Sequence, residues 1–128
     1  RELIDHVGQY KDLKFPAQLT DAPEMVLRGG CVGIQKMEYL PGRGVYEYPY
    51  TPESFPWFYD KEQWIKYLDM LVENRMNSLY LWNGHPFASL VKLEEYPFAV
   101  EVDEETFKKN EEMFSFLTAE ADKRGIYC

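Results

Sequence analysis

Three side chains capable of binding a small polar molecule follow one another at the end of a predicted buried strand. The segment Asn77–Phe87 reads NSLYLWNGHPF, with apolar residues first and then Trp82, Asn83 and His85 in a glycine-containing loop. An indole can stack on a ring, an amide can donate and accept hydrogen bonds, and an imidazole can do both near neutral pH. We expect Trp82, Asn83 and His85 to contact a ligand, and Ser78 to Leu81 to fill the interior.

A second group of candidate binding residues lies in residues 36–59, which we predict to be a long loop without secondary structure of its own. The segment holds eight aromatic residues and four prolines. Long loops are usually functional or disordered, and disordered segments are poor in aromatic residues. The rings either seal a core or form a platform for sugar rings, whose C–H faces lie well on aromatic faces. Tyr39 and Trp57 are the candidates for substrate contact.

Other kinds of chemistry have little support in the sequence. Both loops contain glutamates, but no acid–base pair can be assigned from the positions of Glu38, Glu47, Glu53, Glu94 and Glu95. Two cysteines and two distant histidines do not form a metal site. The Arg28-Gly29-Gly30 step lacks the spacing of a phosphate-binding loop. We therefore expect no metal and no cofactor.

Charge and hydropathy exclude several kinds of partner. The 128 residues carry a formal net charge of −8, and the sequence pI is about 4.8. Nucleic acid and anionic membrane surfaces both favour basic proteins, so we expect no nucleic-acid partner. A run of 18 apolar residues would be needed to span a bilayer and is absent from the sequence, so we expect no membrane insertion.

Alternating strand and helix patterns indicate how these residues are positioned. We predict strands at 25–35, 77–83 and 126–128 and helices that begin at Asp60 and Asp103, each capped by that aspartate. Trp64, Leu68 and Leu71 give the first helix one apolar stripe. This order predicts an α/β fold with parallel strands, as in the first β-α-β-α-β portion of a TIM (β/α)8 barrel. Residues 1–24 would be a lead-in from a preceding domain, and residues 25–128 the barrel portion.

The two cysteines fall on the first and third predicted strands. Alternate strands lie roughly 10 Å apart, which is beyond the reach of a disulfide. We expect Cys31 and Cys128 to be free thiols. A complete barrel needs about 250 residues, so we expect the chain to be a fragment whose partner is the remainder of the parent barrel.

Three ordered segments resemble the catalytic domain of the family 20 glycoside hydrolases, the β-N-acetylhexosaminidases, and more loosely the family 67 α-glucuronidases. The first is Arg28-Gly29 with its apolar strand and Tyr39-Leu40-Pro41. The second runs from Leu68 through Asn74-Arg75-Met76-Asn77 to Trp82. The third runs from Glu95-Tyr96-Pro97 to Arg124-Gly125-Ile126.

The resemblance implies an enzyme that hydrolyses non-reducing-end sugars of a glycan or oligosaccharide substrate. It implies that Arg28 reaches hydroxyls of the terminal sugar, and that the catalytic Asp-Glu pair lies beyond Cys128. This chain would then supply only residues that bind the substrate. A secreted or periplasmic location also follows from the resemblance alone.

Two alternatives remain open on the sequence. The chain could be a non-catalytic carbohydrate-binding or scaffolding domain that uses the aromatic loop 39–59. It could also belong to a barrel with unrelated chemistry, such as an aldolase or isomerase, which would need a lysine or a set of metal ligands at strand ends. An acidic pair at the end of a fourth strand would favour the hydrolase.

Overall fold

The computed structural model describes residues 2–11, 22–42, 44–83 and 86–128, and within these ranges it has a mixed α/β architecture. The helices are α1 (Glu2–Tyr10), α2 (Lys61–Glu73) and α3 (Glu104–Asp122). The strands are β1 (Gly29–Ile34), β2 (Met37–Leu40), β3 (Gly44–Glu47) and β4 (Ser78–Asn83). Three short 3-10 turns lie at Pro56–Tyr59, Pro86–Ala88 and Pro97–Ala99.

Strands β1 and β4 form a parallel ladder that runs in register from Gly29 opposite Ser78 to Ile34 opposite Asn83. On the other side of β4, Ser78 forms a parallel bridge with Tyr127. The amide of Leu79 donates to the Tyr127 carbonyl at 2.8 Å. The predicted parallel pairing is confirmed, with β4 between β1 and residues 126–128, but the predicted third strand is present only as this single bridge. Cys31 and Cys128 are both free.

The first strand begins later than predicted. Residues Met25, Val26 and Leu27 lie before it and are exposed, whereas the sequence favoured a strand from Met25 onward. Their backbone is held by side chains instead. The guanidinium of Arg28 donates to the carbonyls of Met25 and Val26, and the Asn77 amide donates to Val26 at 2.8 Å. The Val26 carbonyl accepts from both side chains, so both of its lone pairs are used.

Residues 36–59 have secondary structure of their own, contrary to the prediction of a structureless loop. Strands β2 and β3 form an antiparallel hairpin with Met37 opposite Glu47 and Leu40 opposite Gly44. Gly42 and Gly44 each have a φ of +79°, a conformation that glycine adopts without steric cost. The turn between the strands depends on these two glycines. They did not lead to the prediction of a hairpin because the neighbouring prolines also suit an irregular loop.

Helices α2 and α3 pack on the same side of the ladder and supply much of the core. Trp64, Leu68 and Leu71 of α2 are buried, as the apolar stripe predicted. The buried positions of α3 are Phe107, Asn110, Met113, Leu117 and Ala121. At the end of α3, Arg124 Nε contacts Asp69 Oδ1 of α2 at 2.6 Å, which ties the two helices together.

The N-terminal caps of both helices are confirmed, and the cap of α3 leads to a pH prediction. The backbone amide of Thr106 donates to Asp103 Oδ1 at 2.7 Å, and the amide of Gln63 donates to Asp60 Oδ1 at 3.0 Å. The hydrogen bond from the Thr106 backbone, with that from its side chain, holds the pKa of Asp103 below its ordinary value of 3.8. Since the folded pKa is the lower one, the cap stabilises α3 fully above pH 3.8 and is lost as pH falls through the folded pKa.

We expect an NMR titration to place the midpoint of the Asp103 carboxyl below 3.8. The Thr106 amide shift should follow the same curve, because that amide is the donor. Asp103→Asn keeps an acceptor oxygen and should remove this pH dependence. A midpoint at or above the ordinary value would show that the cap hydrogen bond does not persist in solution.

Candidate functional site

The carboxyl ends of β1 and β4 lie side by side, and the two longest connections of the chain leave from them. Ile34 at the end of β1 is opposite Asn83 at the end of β4. The first connection runs from residue 35 to 60 and contains the hairpin, and the second runs from β4 to α3. In parallel α/β folds, ligands bind where such connections leave the carboxyl ends of the strands. We therefore take this edge as the candidate site.

The two faces of the ladder differ in what covers them. On one face, Ile34 and Leu79 are buried against the helices. On the other face, Tyr80 is 60% exposed and Trp82 is 51% exposed, and their rings meet edge to face with centroids 6.2 Å apart. Cys31 lies opposite Tyr80, and Gly33 lies opposite Trp82. We call these four residues the open face; it pairs large rings on β4 with small residues on β1.

A buried polar cluster fixes the two connections to α3. Asn110 is fully buried, and its amide donates to the backbone carbonyls of Tyr50 at 3.0 Å and Ser89 at 2.9 Å. The hydroxyl of Tyr59 donates to Asn110 Oδ1 at 2.5 Å. The hydroxyl of Ser89, also fully buried, accepts from the amide of Tyr50 at 2.8 Å. This Asn110 cluster holds both connections in one arrangement beside the candidate site.

The hairpin is joined to the second connection by a further hydrogen bond. Tyr46 of β3 donates through its hydroxyl to Glu101 Oε2 at 2.9 Å, and the Glu101 amide donates to the Ala88 carbonyl at 2.8 Å. Next to Tyr46, the Tyr48 hydroxyl donates to the carboxylate of Glu38. The hairpin is thus anchored to the second connection.

The tyrosines of the first connection stay protonated over the physiological range. Burial raises the pKa of Tyr50 to about 12, and the negative charge of Glu47 adds to the effect. Burial also raises the pKa of Tyr59, and the hydrogen bond to Glu38 raises that of Tyr48. These hydroxyls can therefore donate hydrogen bonds near neutral pH, but they cannot act as bases there.

Of the predicted site residues, the open face contains Trp82. Asn83 ends β4 at the same edge, and its side chain lies outside the described part of the chain, as does the whole of His85. Tyr39 belongs to β2 and is 73% exposed. These positions all belong to the strand end or to the connections that leave it.

Arg28 and Trp57 lie apart from Trp82. Arg28 precedes β1, so it is at the opposite end of the ladder, roughly 16 Å along the strand from Gly33. Its guanidinium donates to backbone carbonyls, including that of Arg75 at 3.0 Å.

Trp57 packs on the helix-facing side of β1. It lines a pocket of about 220 Å³ together with Val32, Gln63, Trp64 and Tyr67. Its ring contacts those of Phe55, Phe58 and Trp64, with the Trp64 centroid 5.9 Å away.

The sequence interpretation missed two sets of aromatic residues. Tyr80 was expected to fill the interior, but it lies on the open face; period-two alternation with Trp82 would have indicated this. Tyr96 and Phe98 in the second connection are exposed and meet edge to face at 5.9 Å. In contrast, three rings of the aromatic loop, Tyr50, Phe55 and Phe58, lie in the core.

Across the described ranges, no group of three or more His, Cys, Asp or Glu residues is arranged to hold a metal ion. No helix among the same residues is long and apolar enough to cross a bilayer.

Comparison with solved structures shows a likeness to a glycoside hydrolase. The chain is similar to a solved structure of a GH138 enzyme targeting pectin rhamnogalacturonan II, with 78% sequence identity and a TM-score of 0.84. The match covers 98% of this chain and 15% of the enzyme, so the chain spans about one seventh of that protein's length. No protein-family model and no curated protein matches the chain. The likeness supports a glycoside hydrolase, but it does not support family 20 or family 67 specifically.

Proposed function

We propose that this chain is part of a glycoside hydrolase and contributes residues that bind the glycan. The observation that supports this most strongly is the 78% identity to the GH138 enzyme over 98% of the chain. Two chains this similar share the side chains of most of their surfaces as well as their fold. We infer that the substrate is a pectic glycan of the kind named for that enzyme, and that the protein adds water across a glycosidic bond.

The parallel ladder and its two helices fit the opening portion of a (β/α)8 barrel. In such a barrel, one face of each strand meets the helices and the other points to the interior. The ladder has this asymmetry, with Ile34 and Leu79 against the helices and Tyr80 and Trp82 on the open face. We propose that residues 25–128 form this portion and residues 1–24 lead into it, with the catalytic carboxylates supplied by other parts of the barrel.

Within the proposed site, Trp82 is the residue best placed to stack on a sugar ring. It is half exposed, it lies one residue from the carboxyl end of β4, and Tyr80 supports its ring from the side. We include Asn83, His85 and Tyr39 as further contacts because they lie on the strand end and its connections. We place Arg28 and Trp57 outside the site, since one is at the far end of the ladder and the other on its helix-facing side.

Replacing Trp82 by alanine in the intact protein tests the proposal. We expect kcat/KM on rhamnogalacturonan II to fall at least about tenfold, which corresponds to about 1.4 kcal/mol of lost transition-state binding. The melting temperature should change little, because the ring is half exposed. Tyr10→Ala is the matched control: it removes a ring of similar exposure from α1, which is not part of the ladder.

Different results would contradict the hydrolase assignment and the binding role of the open face. Absence of hydrolysis by the wild-type protein on pectic glycans and aryl glycosides would contradict the hydrolase assignment. Full activity of the Trp82→Ala variant would instead contradict the binding role of the open face and leave the hydrolase assignment intact.

A further inference from the structure

The pocket that Trp57 lines, which we call the Trp57 pocket, has a volume of about 220 Å³ and a largely aromatic wall. Val32 lines it from β1, Trp57 from the first connection, and Gln63, Trp64 and Tyr67 from α2. The ring centroids of Trp57 and Trp64 are 5.9 Å apart, and Trp64 is buried, so the wall is continuous with the core. An apolar cavity of about 150 Å³ holds a benzene ring. The Trp57 pocket therefore has room for one large apolar side chain.

Contacts with α3 show which flank of α2 is already covered. Asp69 of α2 pairs with Arg124 at 2.6 Å, and the Lys61 ammonium lies 5.1 Å from the centre of the Phe116 ring on α3. Both contacts come from the same flank of α2, at its middle and at its beginning. This flank of α2 packs against α3.

The Trp57 pocket belongs to the other flank of α2. A helix turns by about 100° per residue, which places Gln63, Tyr67 and Met70 on the side roughly opposite Lys61. These three positions follow one another at spacings of four and three residues and form one stripe. Met70 is 40% exposed, so the stripe presents apolar surface beyond the pocket itself.

The stripe lies over the outer edge of β1, which is the edge that faces away from β4. A helix in a right-handed crossover packs over the strand before it and the strand after it. By this rule α2 covers β1 and β4, and α3 covers β4 and residues 126–128, so the flank away from α3 is beyond β1. Within the described part of the chain, β1 pairs only with β4. An unpaired strand edge presents N–H and C=O groups that can bind another strand.

We propose that this flank is where the parent barrel closes: a strand from outside residues 1–128 pairs in parallel with the outer edge of β1, and the helix after that strand places an apolar side chain in the Trp57 pocket. The inference rests on the proposed barrel and not on the hydrolytic activity. The crossover rule that puts α2 over β1 and β4 puts the closing helix over the closing strand and β1. The GH138 enzyme has room for both elements, since the match covers 15% of it.

The lining of the pocket favours a hydrocarbon side chain over a sugar. The indole N–H of Trp64 already donates to the Phe58 carbonyl at 2.8 Å, so the remaining polar groups are few: the Gln63 amide, the Tyr67 hydroxyl and the Trp57 indole N–H. A sugar ring that entered would lose water from several hydroxyls and regain few hydrogen bonds. An apolar side chain has no such hydrogen bonds to lose. Trp57 would then stabilise the closed barrel rather than bind the substrate.

Thiol labelling of the intact protein tests the inference. Gln63→Cys places a thiol at the pocket, and the matched control Lys66→Cys places one on the exposed face of the same helix. We expect a maleimide to label Gln63→Cys at least about tenfold more slowly than Lys66→Cys, because the closing helix covers only the first position. Peptide mass mapping separates these sites from other thiols. The measurement needs no substrate, so it stays decisive even if the protein hydrolyses nothing.

Photo-cross-linking from position 63 identifies what covers the pocket. With p-benzoylphenylalanine in place of Gln63, we expect cross-links within one chain to a segment outside residues 1–128. Cross-links between two chains would mean that a second copy fills the pocket, and they overturn the inference. Equal labelling of the two cysteine variants overturns it as well. Protection of Gln63→Cys that requires added rhamnogalacturonan II oligosaccharides would mark a glycan site and also overturn it. If the bulky photoreactive group prevents folding, the cysteine pair alone decides.

Discussion

Replacing Gly29 by alanine adds one methyl group to β1. We expect it to destabilise the β1–β4 ladder more than a methyl group added at any other position of β1. The new Cβ would lie 1.7 Å from the Ser78 carbonyl oxygen and 2.3 Å from its hydroxyl. The nearer atom belongs to the backbone of β4, so a side-chain rotation cannot relieve the clash. The two strands must separate at this end, and we expect a loss of at least about 3 kcal/mol, at the upper end for an overpacked position.

Hydrogen–deuterium exchange of the intact protein measures this effect locally. Amides of the ladder, residues 29–34 and 78–83, should exchange much faster in Gly29→Ala than in the wild type. The matched control is Gly33→Ala, which adds the same methyl group to the same strand where no described atom is within 4 Å. Equal exchange rates in the two variants would show that the close approach of Gly29 to Ser78 is not maintained in solution.

Replacing Asn110 by alanine is expected to release both connections from α3. The substitution leaves the carbonyls of Tyr50 and Ser89 without their donor and the hydroxyl of Tyr59 without its acceptor. A buried polar group that loses its partner costs about 1–3 kcal/mol. With three such groups affected and some relaxation, we expect a loss of roughly 3–5 kcal/mol in the free energy of unfolding.

Denaturant unfolding, with exchange rates for residues 48–60 and 86–90, would measure the loss. Asn74→Ala is the matched control, because the Asn74 amide donates to one exposed carbonyl, that of Met70, at 2.8 Å. Water can replace that bond, so the control should lose about 1 kcal/mol or less. Similar losses in the two variants would mean that the Asn110 cluster is hydrated and does not hold the connections.

The elements α2, β4 and α3 were predicted well from the sequence, because the residue patterns that specify them lie within or next to each element. A capping aspartate, an apolar stripe and a short apolar run each lie within a few residues of the element that they specify. The hairpin was missed because its two turn glycines stand among prolines and aromatic residues that also suit an irregular loop. The strand order followed from the alternation of elements, which is likewise readable along the chain.

The candidate site was predicted only in part, because most of its determinants are distant in sequence. Trp82 could be found, since the end of a strand is visible in the sequence. Arg28 could not be located, because its partners include the carbonyl of Arg75, 47 residues away. The role of Asn110 was also hidden, since a polar residue on an otherwise apolar helix face gives no indication of which carbonyls it will meet.

The sequence separation between Asn110 and its partners also sets the order in which the Asn110 cluster can form during synthesis. Asn110 is 60 residues after Tyr50 and 21 after Ser89, the two residues whose carbonyls it binds. At ordinary translation rates of about 5–20 residues per second, Tyr50 emerges from the ribosome roughly 3–12 s before its partner. During that interval the aromatic connection must remain without its buried anchor. The later helix therefore completes the earlier segment, since the carbonyls of Tyr50 and Ser89 have no Asn110 donor until α3 has been made.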